Sequence, residues 1–297
     1  MLLFSKKSEA FLESELFHNF RGSYSAISGA GIIAFFVFIV VLGPSLVWQN
    51  PYDIASLELL DAYKPPFWIP GGDVHYILGT DGQGRDVLAS IVYGTRISLL
   101  ISLAAMVCSS VIGAALGLIS GYYGGRLDGF IMRVADVQLS FPSLLIALFL
   151  MSAFGNGLGK VLISLTCVGW VIYARTVRGS TLSEKQKEYV QAAQAAGLPN
   201  HKIIVRHILP NVMTPLIVVA TIQIGTFILI EASLSFLGVG VPITQPSLGL
   251  LVKNGFDVLL SGLWWTSVFP GAFIMLLVFG INLLGDFLRD ELNPRLR

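Results

Sequence analysis

The chain has 297 residues, of which 54% are hydrophobic and only 12% charged, and its mean hydropathy is +0.75. A soluble domain carries about 25% charged residues, so this composition excludes an ordinary soluble protein and indicates one built into a lipid bilayer. The formal net charge of +1 also argues against a nucleic-acid partner, because there is no basic patch to neutralise phosphates.

The amino-terminal segment, residues 1–26, mixes basic and acidic residues with leucine and phenylalanine. We expect a cytoplasmic tail that forms a helix along the membrane surface, with a disordered tail as the alternative. The membrane domain then comprises residues 27–297.

Six apolar segments are long enough to cross a hydrocarbon core of about 30 Å. The predicted spans are residues 27–48, 97–120, 128–154, 161–177, 212–239 and 267–287. We expect Pro142 to kink the third span. Residues 49–90 and 240–264 are predicted to be extramembrane segments, with Trp264 and Trp265 as interfacial anchors. The predicted fold is an all-α membrane protein of six transmembrane helices.

A hydrophilic segment, residues 183–211, separates the fourth and fifth spans. Ser183 and Gln186 have the spacing of a capping box, and Gly197 permits the left-handed conformation that ends a helix. Asn200 then caps a second short helix, which Pro210 closes. The pattern predicts two short helices joined by a sharp turn.

The distribution of lysine and arginine predicts the orientation. If the amino terminus is inside, only Lys64, Arg85, Arg96, Lys160 and Lys253 of the 19 basic residues fall on the outer side. Positive charge concentrates in cytoplasmic segments. We therefore expect both termini and residues 183–211 to lie in the cytoplasm.

The sequence contains no motif for catalysis or for an energy source. Gly159-Lys160 is the nearest approach to a phosphate-binding loop and lacks the required neighbours. The four histidines are scattered, so we predict no metal site, and no serine or cysteine nucleophile is paired with a base. We expect a non-catalytic chain that binds no cofactor itself.

Charged residues within the spans are the remaining local signal. Glu231 lies deep in the fifth span, where a charge is costly and must face the bundle interior or a wet cavity. Arg133 and Asp136 are three residues apart and close enough to pair. For all three, a place on a translocation path and pairing between helices stay open. Gly113, Gly117 and neighbouring small residues predict close helix packing in the second span.

The hydrophilic segment resembles the coupling loop of ABC-importer permeases. That family has Glu-Ala-Ala, three residues, Gly, nine residues, then Ile, any residue and Leu-Pro. The matching residues here are Gln191, Ala192, Ala193, Gly197, His207, Leu209 and Pro210. Gln191 stands in place of Glu, and His207 in place of Ile, as in the peptide-importing branch.

The resemblance extends over nearly the whole chain, through residues 78–99, 121–148, 231–240 and 282–296. These segments are similar to the dipeptide, oligopeptide and nickel permeases, and to the subunit with the shorter outer loop. The resemblance therefore implies the fold of a type I ABC-importer permease in a bacterial cytoplasmic membrane.

The same resemblance implies partners and a cargo. A homologous second permease subunit would complete the pore, and an external solute-binding protein would deliver the solute. Two cytoplasmic ATPase subunits, which bind ATP and Mg²⁺, would dock on the coupling loops through the seven motif residues. Peptides are the leading cargo, with nickel or another small solute as the alternative. A stand-alone secondary transporter or channel, or a membrane scaffold, are the readings from other classes.

Overall fold

A computed structural model describes residues 18–53, 57–242 and 244–292, and the regular structure within them is helical. The helices are α1 (Tyr24–Leu46), α2 (Val87–Tyr123), α3 (Gly125–Leu139), α4 (Ser143–Phe154), α5 (Leu158–Lys185), α6 (Glu188–Ala195), α7 (Asn200–Ile203), α8 (Leu209–Phe236), α9 (Leu248–Phe256) and α10 (Trp265–Glu291). A π-helical turn, Ile204–Ile208, joins α7 to α8.

The apolar helices of the described residues fit the predicted six spans. Helices α1, α2, α5, the continuous α7–α8 unit and α10 each have the length and hydropathy to cross a membrane. The sixth candidate is α3 with α4, which meet at 92°. The all-helical architecture is therefore confirmed.

The third span is broken rather than kinked. Pro142 adopts an extended conformation (φ −56°, ψ 132°) directly before α4. A proline has no N–H for the helical ladder, and it pushes the preceding residue out of the α region. The sequence located the interruption at Pro142, but the right-angle turn exceeds the kink that we expected.

The second and fifth helices, α2 and α5, pack through the predicted small-residue face. A Cβ atom added to Gly113 would lie 2.5 Å from the Trp170 carbonyl oxygen, and one added to Gly117 would lie 2.5 Å from that of Ala174. Only glycine lets the two backbones approach this closely. The packing role of these glycines is confirmed.

Residues 240–264 are not only a loop, because they contain α9. Its Leu248 and Leu251 are buried, and Gly249 is so close to α8 that an added Cβ would lie 2.4 Å from the Ala232 carbonyl oxygen. A helix of nine residues that includes Lys253 and Asn254 is too short and too polar to be predicted as a span. Helix α9 therefore packs into the bundle between α8 and α10.

Trp265 was predicted as an interfacial anchor and instead lies inside the protein. It is 6% exposed, and its indole N–H donates to the Thr80 carbonyl at 3.2 Å. This bond fastens the loop between α1 and α2 to the start of α10. Trp264, in contrast, is exposed.

The bundle has two ends. Helix α2, with 37 residues at about 1.5 Å per residue, connects them over about 55 Å. We call residues 47–86 and 237–264 the long-loop end. We call residues 186–203 the helix pair. Residues 18–22 are helical and lie beside the end of α10, where Asn19 donates to Glu291 at 3.1 Å. The rest of the predicted surface helix lies outside the described residues.

Candidate functional site

The helix pair begins later than the capping box predicted. Ser183 lies inside α5, which continues to Lys185, and α6 begins at Glu188 after Lys187, whose side chain makes no capping bond. Nothing between residues 178 and 185 except Gly179 weakens a helix, so α5 runs on through the predicted cap. The Glu188 carboxylate in the first turn of α6 instead complements the positive end of the helix dipole.

Gly197 ends the first short helix as predicted. Its φ of +75° lies in the left-handed region that favours glycine. A Cβ added there would meet no atom within 4 Å. The turn at Gly197 is therefore an open surface of bare backbone.

The end of the helix pair differs from the prediction. Asn200 is the first residue of α7 rather than its cap, and Pro210 does not close that helix. Instead the chain continues through the π turn into α8, where Pro210 occupies the first turn. Because Pro210 has no N–H, the carbonyl of Arg206 loses its ordinary α-helical donor. This loss accounts for the change from α-helical to π-helical hydrogen bonding at Ile204–Ile208, and the helix continues without a break.

The motif residues divide between an outward and an inward face. Gln191, Ala192, Gly197 and Pro210 are exposed or half-exposed, and His207 and Leu209 are half-buried. Ala193 is only 8% exposed and packs inward. The outward face thus presents small or polar side chains, which let another protein approach the backbone closely.

The inward face of the pair is held by a continuous apolar cluster. Val190, Ile203 and Ile208 are fully buried against Tyr173 and Val177 of α5. Burial of side chains of this size stabilises the fold by about 1.5–3 kcal/mol each. These contacts attach the pair firmly to the ends of α5 and α8.

Gln191 has a local structural role that the family's Glu could not fill. Its amide Nε2 donates to the Gln186 carbonyl at 3.1 Å. This carbonyl directly follows α5, where carbonyls lack helical partners. A carboxylate has no proton to donate. Gln191, in place of the motif's Glu, therefore makes a neutral hydrogen bond where the family has a charge.

Polar contacts that the sequence analysis missed also fix the pair to the bundle. Tyr122, at the end of α2, donates its hydroxyl to Asn200 Oδ1 at 2.8 Å. Lys185 Nζ donates to the Tyr122 carbonyl at 2.6 Å. Glu184 accepts hydrogen bonds from Lys187 Nζ at 2.5 Å and from the Tyr189 hydroxyl. These residues are distant in sequence or carry no motif, so only the fold reveals them.

The carboxyl group of Glu231 is completely buried, with 0% exposure. Ser98 Oγ of α2 donates to it at 2.7 Å, and Ser235 Oγ at 2.8 Å. The Ser98 hydroxyl oxygen also accepts the Leu248 N–H of α9 at 3.3 Å. Glu231 therefore joins α2, α8 and α9 through serines that the sequence analysis did not single out.

Arg133 and Asp136 are both exposed on α3 and do not pair with each other in the described structure. Asp136 pairs instead with Arg175 of α5. Nearer the start of α3, Asp128 binds Arg178 of α5 with a separation of 2.5 Å. The predicted pair is wrong because α5 supplies longer-range partners, which hold α3 against it.

Metal-binding chemistry has no support in the part of the chain that is described. No group of three or more His, Cys, Asp or Glu side chains is placed to hold an ion there.

Comparison with known proteins gives three consistent results. The family model described as "Binding-protein-dependent transport system inner membrane component" matches residues 113–297. The oligopeptide transport permease protein OppC of Bacillus subtilis is 38% identical over 99% of this chain and 92% of its own length. The di/tripeptide transport permease protein DppC of Pseudomonas aeruginosa is 36% identical over 95% of this chain and 92% of its own length.

A solved structure has the same fold. The inward-facing methionine ABC transporter MetNI superposes with a TM-score of 0.55 at 20% identity. The match covers 68% of this chain and 96% of the other. At this identity the likeness shows the fold alone.

Proposed function

The chain belongs to the family of inner membrane components of binding-protein-dependent transport systems, and from this premise we propose that it is a peptide-importing permease subunit driven by partner ATPases. The substrate class comes from its relatives, whose printed names are oligopeptide, dipeptide and di/tripeptide transport proteins. The energy source is proposed from the coupling-loop motif, Gln191 to Pro210, and from the family to which the chain belongs.

The observation that carries the proposal is the exposed surface of the helix pair. Its outward residues are small or polar, and its central turn at Gly197 is open. The buried apolar cluster and the Tyr122–Asn200 bond make the same element stiff on its inner side. An element with small or polar exposed side chains and a firmly packed inner face suits the docking of an ATPase whose movement must be transmitted to the bundle.

The proposed lever continues into the membrane. Residues Asn200–Phe236 form one helical unit of 37 residues, from the helix pair to Glu231 and beyond. A displacement of α7 is therefore carried along α8 to the carboxyl group that joins α2 and α9. Swinging a two-state pore from 1:99 to 99:1 requires about 5.5 kcal/mol of differential binding, which ATP-bound partners would provide.

We place the helix pair and both termini in the cytoplasm and the long-loop end outside, because basic residues concentrate beside the helix pair. The membrane is then the bacterial cytoplasmic membrane. The proposed partners are a homologous second permease subunit, two cytoplasmic ATPase subunits that hold ATP and Mg²⁺, and an external solute-binding protein. Catalysis belongs to the ATPases, and this chain is the gate.

Uptake by whole cells tests the function. In the native host, deletion of this chain's gene should abolish accumulation of a radiolabelled tripeptide, and a plasmid copy should restore it. Unchanged tripeptide uptake together with lost radiolabelled Ni²⁺ uptake would instead assign the chain to nickel import. Tripeptide transport by the purified chain alone in liposomes, without ATP, would contradict the proposal and support a secondary transporter.

A further inference from the structure

A cavity of about 360 Å³ opens at the long-loop end. It lies between the loop that precedes α2, the first turn of α2, the end of α9 and the start of α10. Such a volume falls within the range of small-molecule sites, about 300–1,000 Å³. The cavity is formed by this chain alone and is distant from the helix pair.

Two carboxylates line this cavity, and the guanidinium group that acts on one of them, that of Arg85, is not part of the lining. Asp81 and Asp257 both line it, and no lysine, arginine or histidine does among the described residues. Asp81 Oδ1 accepts the backbone N–H groups of Gln83 at 2.8 Å and of Arg85 at 3.0 Å. Burial raises the pKa of Asp81, although these two N–H groups and the Arg85 charge lower it. A cation placed beside Asp81 would therefore stabilise its charged form.

An unused hydroxyl lies in the same wall. Ser90, in the first turn of α2, is 2% exposed and lines the cavity, and its Oγ has no hydrogen-bond partner. Buried polar groups are usually partnered, and Ser98 two turns further along α2 is bonded to Glu231. The Thr266 hydroxyl donates to the Leu263 carbonyl at 2.7 Å, which leaves its oxygen free to accept.

Part of the remaining wall is apolar, beside the polar side chains of Tyr63, Gln83 and Asn254. Val87, Leu251 and Pro270 contribute hydrocarbon surface beside the polar groups. The cavity thus combines acceptors and carboxylates for a cationic donor with an apolar surface for the carbon skeleton that bears it. An ammonium group, with three N–H donors and no acceptor, matches these groups.

We propose that this cavity binds the amino-terminal end of a short peptide, with its ammonium group among Asp81, Asp257 and the Ser90 hydroxyl. The assignment rests on the proposed peptide transport. It adds to that function a binding site within one permease subunit, where the substrate amine is recognised apart from the external binding protein.

A cysteine reporter tests the site without relying on transport. The free cysteines Cys108 and Cys167 are replaced by serine, Asn254→Cys is introduced into the cavity wall, and the whole transporter is placed in nanodiscs without the binding protein. We expect a cationic methanethiosulfonate to label this cysteine roughly tenfold faster than an anionic one, because carboxylates concentrate cations in a cleft. Millimolar Ala-Ala should slow the labelling, and N-acetyl-Ala-Ala should not.

Paired variants connect the result to the carboxylates. Asp81→Asn keeps the oxygen that accepts from Gln83 and Arg85, so the loop should still fold, and Asp257→Asn changes an exposed residue. Together they should abolish both the preference for the cationic reagent and the protection by Ala-Ala. Asp257→Asn alone should reduce both if the double variant fails to assemble. Asp73→Asn, at the same end but outside the cavity, should leave both unchanged.

Three outcomes would overturn the site. These are no protection by Ala-Ala in the parent, equal protection by the acetylated peptide, or protection only when the binding protein is added. ATP-driven peptide uptake by the same parent with its binding protein, measured in liposomes, separates the two proposals. Uptake without protection refutes the cavity alone, and absence of uptake refutes peptide transport.

Discussion

Gly197 has a backbone conformation that favours glycine, and it lies on the surface where we propose that the ATPase docks. Its left-handed φ and its open surroundings mean that any side chain there would strain the turn and project outward. The sequence predicted this turn correctly, because glycine followed by proline two residues later is a strong local signal. Single residues with such local signals were the most predictable part of the candidate site.

Gly197→Asp should reduce peptide uptake at least tenfold while the protein still reaches the membrane, since it adds an unpaired charge that docking of the ATPase would bury. Gly197→Asn is the matched control, because asparagine tolerates the left-handed region and has a similar size without the charge. Uptake and membrane abundance should be measured for both. Wild-type uptake by the aspartate variant would refute the docking role.

Glu231 is predicted to act as a hydrogen-bonding hub. Glu231→Gln retains a carbonyl acceptor for the serine hydroxyls and should assemble normally, with any effect confined to transport rate. Glu231→Leu strands those hydroxyls in the interior, and each buried unpartnered group costs about 1–3 kcal/mol. Folded protein, measured by fluorescence-detected size exclusion, should fall severalfold for the leucine variant. Equal amounts for leucine and wild type would contradict the hub.

Asp86 at the long-loop end should make stability depend on pH. Burial raises its pKa from 3.8 to about 6 despite the Leu88 N–H that it accepts. Because the pKa is raised in the folded state, protonated Asp86 adds to the free energy of unfolding. This contribution is full below about pH 4 and is lost as the pH rises through 6. The melting temperature of Asp86→Asn in detergent should therefore exceed that of wild type at pH 7.5, and the difference should shrink at pH 5.

Asp73 provides a control for this measurement, because its pKa is lowered whereas that of Asp86 is raised. The backbone N–H of His75 lowers its pKa to about 2, so its charged form is the favoured one at both pH values. Asp73→Asn should not raise the melting temperature at pH 7.5. A pH-independent difference for Asp86→Asn would show that burial of the charge is not the cause.

At the scale of the helix, apolar length and proline positions predicted most elements but not their junctions. Among the described residues, five helices have the length and hydropathy to cross a membrane, or six if α3 and α4 count as one span, because a hydrocarbon core fixes the length that a span needs. Helix α9 was missed, since nine residues that include Lys253 and Asn254 give too weak a signal. The end of α5 was predicted too early because the helix runs on through Ser183 to Lys185. The π turn was missed because Pro210, in the first turn of α8, changes the hydrogen-bond register without ending the helix.

The contact between α2 and α5 should be the helix interface at which added side-chain volume destabilises the bundle most. Gly117→Ala places a methyl group against a backbone oxygen that cannot move aside, and such overpacking costs about 1–3 kcal/mol. Gly129→Ala on α3 is the control, because an added Cβ there meets nothing within 4 Å. Thermal melts should show a loss only at Gly117. Similar melting temperatures for both variants would contradict the packing account.

For the whole molecule, the two ends are connected by continuous helices rather than by loops. The unit from Asn200 to Phe236 begins in the helix pair, contains Glu231 and reaches the long-loop end near α9. The family resemblance predicted the coupling motif, but its mechanical connection required the fold. The connection is carried by hydrogen bonds of Ser98, Ser235, Tyr122 and Asn200, and their partners lie up to 150 residues away in sequence.

The most direct measurement is a cross-link from the helix pair. Ala192→Cys is introduced with Cys108 and Cys167 replaced by serine, and the transporter is treated in membranes with a short bifunctional thiol reagent. The account predicts a covalent adduct between this chain and the ATPase subunit, whose yield changes when ATP hydrolysis is blocked with vanadate. Labelling of the introduced cysteine in intact cells by an impermeant reagent, with no adduct to the ATPase, would contradict it.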